Sequence, residues 1–432
     1  MKLKADRNTL GFFGIAITIY VVTQILISLG VLSDFWMTLL RFGAVLAMVS
    51  LGLNLIYGFN GQFSLGQYGF YAIGAYSAAD VTYRWTQLHS ASGLVVLLLG
   101  VAFTGLFFLV VGKLLKSLPR MDTLSAFGLY VIGTILAGLL AVLLGKFLIS
   151  PITNFLLFVP EAIAAQIVFL LAVLLAGVLT AEVAFLFGLP VLALGSDYFG
   201  IATLGFTIIV KVLLDNSDTM FGFQEMKGAR GMVGIPQLAS WFWVYFFLMI
   251  MILIARNLLH SSYGRAIISV REDEIAAKSM GIDVTHYKTL TFIMGSTFAG
   301  LAGGIYAHIN GFLHPDIFNF IKSFDPLIIV VFGGLGSITG TIAAAFGIYM
   351  VLEGVLRLVL PQGFETWRYV VYPLLLLVMM LLRPKGLFGT FEVPFLRQIL
   401  PPPLRKSPGS PANDLEGIVP VLPTSEVGSN YE

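Results

Sequence analysis

The residues best placed to do chemistry in this chain form one charged run: Arg271, Glu272, Asp273 and Glu274, followed by Ala276, Ala277 and Gly281. In the 33 residues 256–288, RNLLHSSYGRAIISVREDEIAAKSMGIDVTHYK, nine are charged, whereas charge makes up 11% of the whole chain. Such a run can dock a partner. It cannot build a metal or acid–base centre, because the five histidines (His89, His260, His286, His308 and His314) show no ligand spacing. Cysteine is absent, which removes disulfides, thiolate nucleophiles and cysteine-held metals together. No G-x-x-x-x-G-K-[ST] phosphate loop occurs: Gly112-Lys113 and Gly145-Lys146 are followed by Leu and Phe inside apolar sequence. FGGLGSITG (Phe332–Gly340) lacks the G-x-G-x-x-G spacing and any strand–helix–strand context. If the chain takes part in ATP-driven transport, the ATP must therefore be hydrolysed by another subunit.

The elements that position this run are membrane helices. Of the 432 residues, 58% are hydrophobic and the net charge is only +2; ordinary soluble domains carry about 25% charged residues. That excludes a soluble enzyme, a disordered chain and a nucleic-acid binder. A membrane helix needs roughly 20 apolar residues. Long candidates are Leu10–Gly30, Trp36–Gly58, Gly93–Gly112, Leu124–Leu148, Glu161–Phe187, Phe242–Leu259, Lys288–Ile309, Ser337–Leu358 and Arg368–Leu382. Three further stretches are short or glycine-broken: Leu65–Asp80, Leu189–Leu214 and Phe324–Gly334. The fold class is an all-α polytopic bundle with about 9–12 spans, depending on whether the weak ones cross or re-enter. Leu10–Gly30 follows the basic start MKLKADRN and is too long for a typical signal-peptide core, so it reads as a retained anchor. The positive-inside rule then places Lys113, Lys116, Arg120, the 256–288 loop, Arg383 and Lys385 in the cytoplasm. Residues 391–432, rich in Pro, Ser and Gly from Pro401 on, read as a disordered cytoplasmic tail.

Within 256–288, good helix formers and the position of Gly281 predict a short helix ending in a glycine turn. A solvated connector is the plainer reading, but a connector needs only a few residues. Ionisable groups inside spans are functional candidates by default: Arg41, Glu161, Glu182, Lys211, His308 and Glu353. Snorkelling accounts for Arg41 and Lys211 near helix ends. Neutral polar groups in the broken segments could line a solute path: Asn60, Gln62, Ser64 and Gln67 in the first, Asp197, Tyr198 and Thr203 in the second; capping or packing is the alternative for each. Gly300 with Gly304, and Gly336 with Gly340, are small-xxx-small pairs suited to close helix packing.

Six blocks in order resemble the LivM-type permeases of bacterial branched-chain amino-acid ABC importers. They are Ser50–Tyr76 (SLGLNLIYGFNGQFSLGQYGFYAIGAY), Ser196–Phe206 (SDYFGIATLGF), RAIISVREDEIAAKSMGIDVTHYK ending at Lys288, Phe298–Asp316, Phe332–Gly340 and Leu382–Gly389 (LRPKGLFG). Ala276, Ala277 and Gly281 keep the spacing of the E-A-A-x-x-x-G loop of ABC importers, with Ile275 at the Glu position and acid at Glu274. Gln67 stands where the family's GQxSLGH block has His, and residues 113–187 look like an insertion of about two helices. The resemblance implies a transmembrane permease domain over 1–390 and a coupling loop at 256–288. It implies a second, homologous permease, two ATP-binding cassette subunits that hydrolyse the ATP, a periplasmic or lipid-anchored substrate-binding protein, and residence in the bacterial cytoplasmic (inner) membrane among its lipid. No cofactor, metal, nucleic acid or catalytic role is expected of the chain itself.

Urea or short amides remain alternative substrates. An ion-coupled secondary transporter would want an intramembrane acidic relay instead of a charged loop, and a membrane enzyme a His/Glu/Asp cluster.

Overall fold

The computed structural model describes residues 7–117, 123–193, 196–220 and 225–355, with scattered positions between 357 and 396. All of these lie in one unit, Met1–Arg397. Fourteen α-helices follow in order. They are α1 (Arg7–Ser28), α2 (Asp34–Leu53), α3 (Gln67–Leu88), α4 (Ser92–Ser117), α5 (Thr123–Leu157), α6 (Glu161–Val191) and α7 (Ser196–Asp215). After α8 (Ser217–Met220) come α9 (Trp241–His260), α10 (Ser262–Glu272), α11 (Glu274–Ser279), α12 (Val284–Asn310), α13 (Phe324–Gly333) and α14 (Ile338–Tyr349). Two π-helical turns, Asn54–Phe59 and Met350–Val355, prolong α2 and α14. The strands among the described residues are β1 (Met232–Val233) and β2 (Phe312–Leu313), paired antiparallel. Among the described residues eight helices are long and apolar enough to cross a membrane, so the chain is an all-α, multi-pass membrane protein.

The centre is α12. It packs on α3, α6 and α2 through its small residues, because in lipid helices are held by close contact and not by hydrophobic exclusion. A Cβ added at Gly74 of α3 would overlap the Gly300 carbonyl, and one at Gly300 would overlap Thr180 of α6. Gly304 faces Ala78 and Val173, and His308 meets Thr82 Oγ1 at 2.7 Å. The pairs 74/300, 78/304 and 82/308 make α3 and α12 parallel; Thr180 beside Gly300 and Gly188 beside Phe292 make α6 antiparallel to both. His308 also meets the Gly304 carbonyl at 2.6 Å and is buried, a bonded core histidine.

Several expectations need correction. The weak segment Leu65–Asp80 belongs to a continuous helix, α3, running to Leu88. Its glycines lower hydropathy but serve as contacts: Gly69 meets Phe206 and Gly74 meets Gly300. Leu189–Leu214 is not one segment. α6 continues through Pro190 to Val191, and α7 starts afresh at Ser196. The span expected at Leu124–Leu148 runs on through Pro151 to Leu157. Phe324–Gly334 is a ten-residue helix, about 15 Å long at ~1.5 Å per residue and therefore half a span. In the region 113–187, α5 lies against α4 and α6 with most of its surface turned outward, whereas α6 reaches the α12 core.

Beyond 390, Glu392 caps α14 by accepting hydrogen bonds from Ile338 N and Thr339 N, and Leu396 is buried. The disorder expected of the tail from Pro401 on, the candidate span Arg368–Leu382 except for a few positions, Arg120, Lys385 and the basic residues Lys2 and Lys4 lie outside the described residues.

The α3–α12 contact gives a test. Gly74→Ala places a methyl against backbone that cannot swing aside, so thermal unfolding of the purified protein should reveal a loss of about 1–3 kcal/mol. Gly138→Ala on α5, where a Cβ meets nothing within 4 Å, should leave the unfolding temperature unchanged.

Candidate functional site: the charged loop and its brace

The charged loop folds as two helices at an angle, where the sequence suggests one. Asp273 is the reason. Its backbone is extended (φ −158°, ψ 110°), and its carboxylate accepts from Ile275 N and Ala276 N at 2.9 Å, a strong N-cap that starts α11 where α10 stops. Arg271 and Glu272 therefore end one helix, and Glu274 begins the next. Gly281, at φ +81°, closes α11 with Ile282 N bonded to Ala277 O at 3.1 Å. This is the left-handed glycine stop that a helix C-terminus favours. Asp283 then caps α12 by accepting from His286 N, so the whole loop is a chain of capped helices.

The side chains of the run divide by role. Ala277 is buried with Val270 and Val284 in a small apolar cluster that joins α10, α11 and α12. Glu274 pairs with Lys288 of α12 at 2.6 Å, which ties α11 to the next span. Arg271 turns toward the bundle: its guanidinium donates to Gly58 O at 2.6 Å. Glu272, Asp273 and Ala276 face solvent. Two large apolar side chains of the loop are strongly exposed, Ile275 at 81% and Met280 at 83%. The local sequence gives little sign of either exposure, because an isolated apolar residue in a charged helix can equally form its inner face. The available signal was Ile275 itself, an apolar residue where the related loop signature carries Glu.

Arg271 lands on a junction of broken backbone. Gly58 lies in the π turn after α2. There the Asn54 side chain donates to Ser337 O and Thr341 Oγ1, both at 2.9 Å, and accepts from Gly336 N at 3.0 Å. Gly336 is not in a helix. It stands at φ +81° in the turn between α13 and α14, where a Cβ would come within 3.0 Å of Arg271 Nη1. Only Gly340 of that pair is helical; it meets Gly333 across the same turn. One turn thus receives α2 through Asn54, the charged loop through Arg271, and residue 392 through the α14 cap. Burial pushes the Glu392 carboxyl up, opposed by the hydrogen bonds it accepts from Thr339 and Ile338.

The polar residues of the broken segments gather on the same side of the bundle. Asn60, Gln62, Ser64, Gln67 and Thr203 are all buried. Thr203 Oγ1 accepts from Leu65 N and donates to Gly200 O, both at 3.0 Å. Asn60 donates to Gln62, and Ser64 Oγ accepts from Gly66 N. Both amide atoms of Gln67 and the Asn60 carbonyl oxygen have no partner among the described residues. Tyr198 is exposed, and the Asp197 side chain lies outside the described residues. Lys211 bonds Asp215 at 2.8 Å and Asp316 at 2.9 Å at the far end of α7. The Lys211 hydrogen bond holds the Asp316 carboxyl below the usual range. Among the described residues no His/Asp/Glu group could hold a metal.

The family described as "Branched-chain amino acid transport system / permease component" matches residues 35–142 and 120–380. The high-affinity branched-chain amino acid transport system permease protein LivM of Escherichia coli (strain K12) is 33% identical over 242 residues, covering 49% of this chain and 56% of that protein. A probable branched-chain amino acid transport permease protein LivM of Methanocaldococcus jannaschii is 25% identical over 254 residues, 55% of this chain and 72% of its own. LivH of Salmonella typhimurium, a permease protein of the same description, is 30% identical over 151 residues, covering 35% of this chain and 47% of that protein. The chain spans little more than half the length of the bacterial LivM it matches, and no solved structure matches it. The family match extends from within α2 past α14 and takes in the loop, its brace and the helices around α12, and the chain belongs to this family of branched-chain amino acid transport permeases.

Proposed function

We propose that the chain is the permease subunit of an ABC importer that carries branched-chain or other neutral amino acids across the bacterial inner membrane. The observation that supports this reading is the charged loop, a rigid, capped pair of helices that projects Ile275 and Met280 outward while Arg271 braces it to the bundle. An apolar pair displayed on such a platform suits a groove on a partner, where each side chain would add about 1.5–3 kcal/mol on burial. The partners are a second, homologous permease, two ATPase subunits docked on 256–288 and a substrate-binding protein on the opposite face. ATP is hydrolysed by the ATPases, and the chain itself transports and does not catalyse. Closure of the ATPases would push α10–α11, and the contact of Arg271 with Gly58 would carry that push to the spans.

Two variants separate docking from transmission. Ile275→Asp with Met280→Asp removes the apolar pair without touching the fold. Co-purification of the ATPase subunits should be lost, with affinity falling by about 100-fold or more. Arg271→Ala should leave the complex assembled but lower the solute moved per ATP hydrolysed by about tenfold, since a hydrogen bond to a charged group is worth about 1.5–3 kcal/mol. Arg271→Lys should restore little, because an ammonium lacks the planar fork. In vesicles, uptake that survives a protonophore but stops when the ATPase is disabled supports the ABC reading; the reverse pattern would establish ion-coupled transport.

A further inference from the structure

We propose that the cavity between α2, α3, α12, α13 and α14 seats the transported solute and is built for the zwitterion of an α-amino acid with an apolar side chain. The proposal deepens the permease reading and rests on it. The cavity has a volume of about 230 Å³. That is below the roughly 300–1,000 Å³ of pockets for drug-sized ligands and of a size for one small molecule. None of the buried polar residues from Asn60 to Gln67 lines it.

Its lining is divided between rings and charges. Phe42 lies 5.6 Å from Tyr306 and 6.2 Å from Tyr349 between ring centroids, and Tyr71 lies 5.4 Å from Tyr306. These rings, with Ile348 and Leu352, give an apolar wall for a branched side chain. The same cavity is lined by Lys322, Asp325 and Glu353. Lys322 Nζ is 3.5 Å from Asp325 Oδ2, and the Tyr68 hydroxyl donates to that same oxygen at 3.5 Å. One ammonium and two carboxylates thus border one small space. A zwitterion complements that set: its carboxylate would face Lys322 and its ammonium Asp325 and Glu353. An uncharged amide offers neither charge.

The depth and the backbone point the same way. Phe42 and Val45 lie 8 and 11 residues after the start of α2 at Asp34. At ~1.5 Å per residue that is about 12–17 Å along the axis, inside the apolar span Asp34–Phe59. Charged side chains at that depth are costly and mark solute or ion routes. Lys322 and Asp325 flank the start of the half-length helix α13, and Leu352 and Glu353 come from the π turn Met350–Val355. Interrupted helices and π turns are where a membrane protein can present polar groups at mid-depth.

The chain has no cysteine, so a single reporter thiol can be placed in the cavity as Leu352→Cys, with Ile348→Cys as a second reporter should the first not fold. The full chain is assembled with its ATPase, second permease and binding protein in proteoliposomes. Labelling by a methanethiosulfonate reagent is followed with L-leucine, isobutyramide or L-lysine present, alongside leucine uptake by the unsubstituted assembly. L-Leucine should slow labelling saturably and isobutyramide should not. Adding Glu353→Gln should raise the leucine concentration for half-protection by about ten- to a hundredfold, the worth of one hydrogen bond to a charged group. Leucine uptake without protection at either reporter would overturn the seat and leave the permease reading standing. Protection by isobutyramide equal to that by leucine, or stronger protection by lysine, would overturn the zwitterion assignment. Absence of leucine uptake by the unsubstituted assembly would overturn the permease reading and this proposal with it.

Discussion

The constraint on which this structure depends is that backbone groups freed by a broken helix must find partners within the protein, since hydrocarbon offers none. Three breaks among the described residues carry side chains placed to meet them. After α2, Asn54 bonds Ser337 O and Gly336 N, and Arg271 bonds Gly58 O. Before α3, Thr203 accepts from Leu65 N and Thr207 donates to Leu65 O. At the start of α14, Glu392 takes the Ile338 and Thr339 N–H groups. These partners come from distant parts of the chain, so the breaks are also the joints at which separate segments are fastened together.

That arrangement explains why the bundle can be rigid at its centre and interrupted at its rim. α12, α3 and α6 meet through Gly74, Gly300, Gly304 and Thr180, where backbones touch and small changes of volume are felt directly. Around them, α13 and α14 are joined by a glycine turn; the end of α13 is met by the backbone N–H groups of Leu387 and Phe388, and the start of α14 by the side chains of Ser337 and Glu392. Variation in outer elements such as α5 costs little, because α5 touches α4 and α6 and not α12.

Much of this was legible in the sequence. Hydrophobic runs located the helices, and the concentration of charge at 256–288 located the loop that projects from them. What the sequence concealed was conditional on distance. Arg271 reads as a docking charge, yet its guanidinium meets Gly58, 213 residues away. Nothing local reveals that Ala277, with Val270 and Val284, fills the inner face and leaves Ile275 and Met280 outside. α3 read as broken because glycine lowers hydropathy, whereas its glycines are the contact surface. The aromatic cavity was the least legible feature, since Phe42, Tyr71, Tyr306 and Tyr349 come from four helices with no shared local pattern; only Glu353 stood out as an ionisable residue within a span.

The joints also link the loop to the cavity by a short physical route. Arg271 touches Gly58 and comes close to Gly336. Gly336 is bonded to Asn54 and lies in the turn from which α13 and α14 both extend. At the far ends of those two helices stand Asp325 and the π turn that carries Glu353, both on the cavity. A half-helix and a short span hung from one turn can tilt together about it without breaking a hydrogen-bond ladder, which one continuous helix could not do. The interruption that exposes backbone groups, and so requires Asn54 and Arg271 to satisfy them, is thus the same feature that puts both cavity carboxylates within one turn's leverage of the loop.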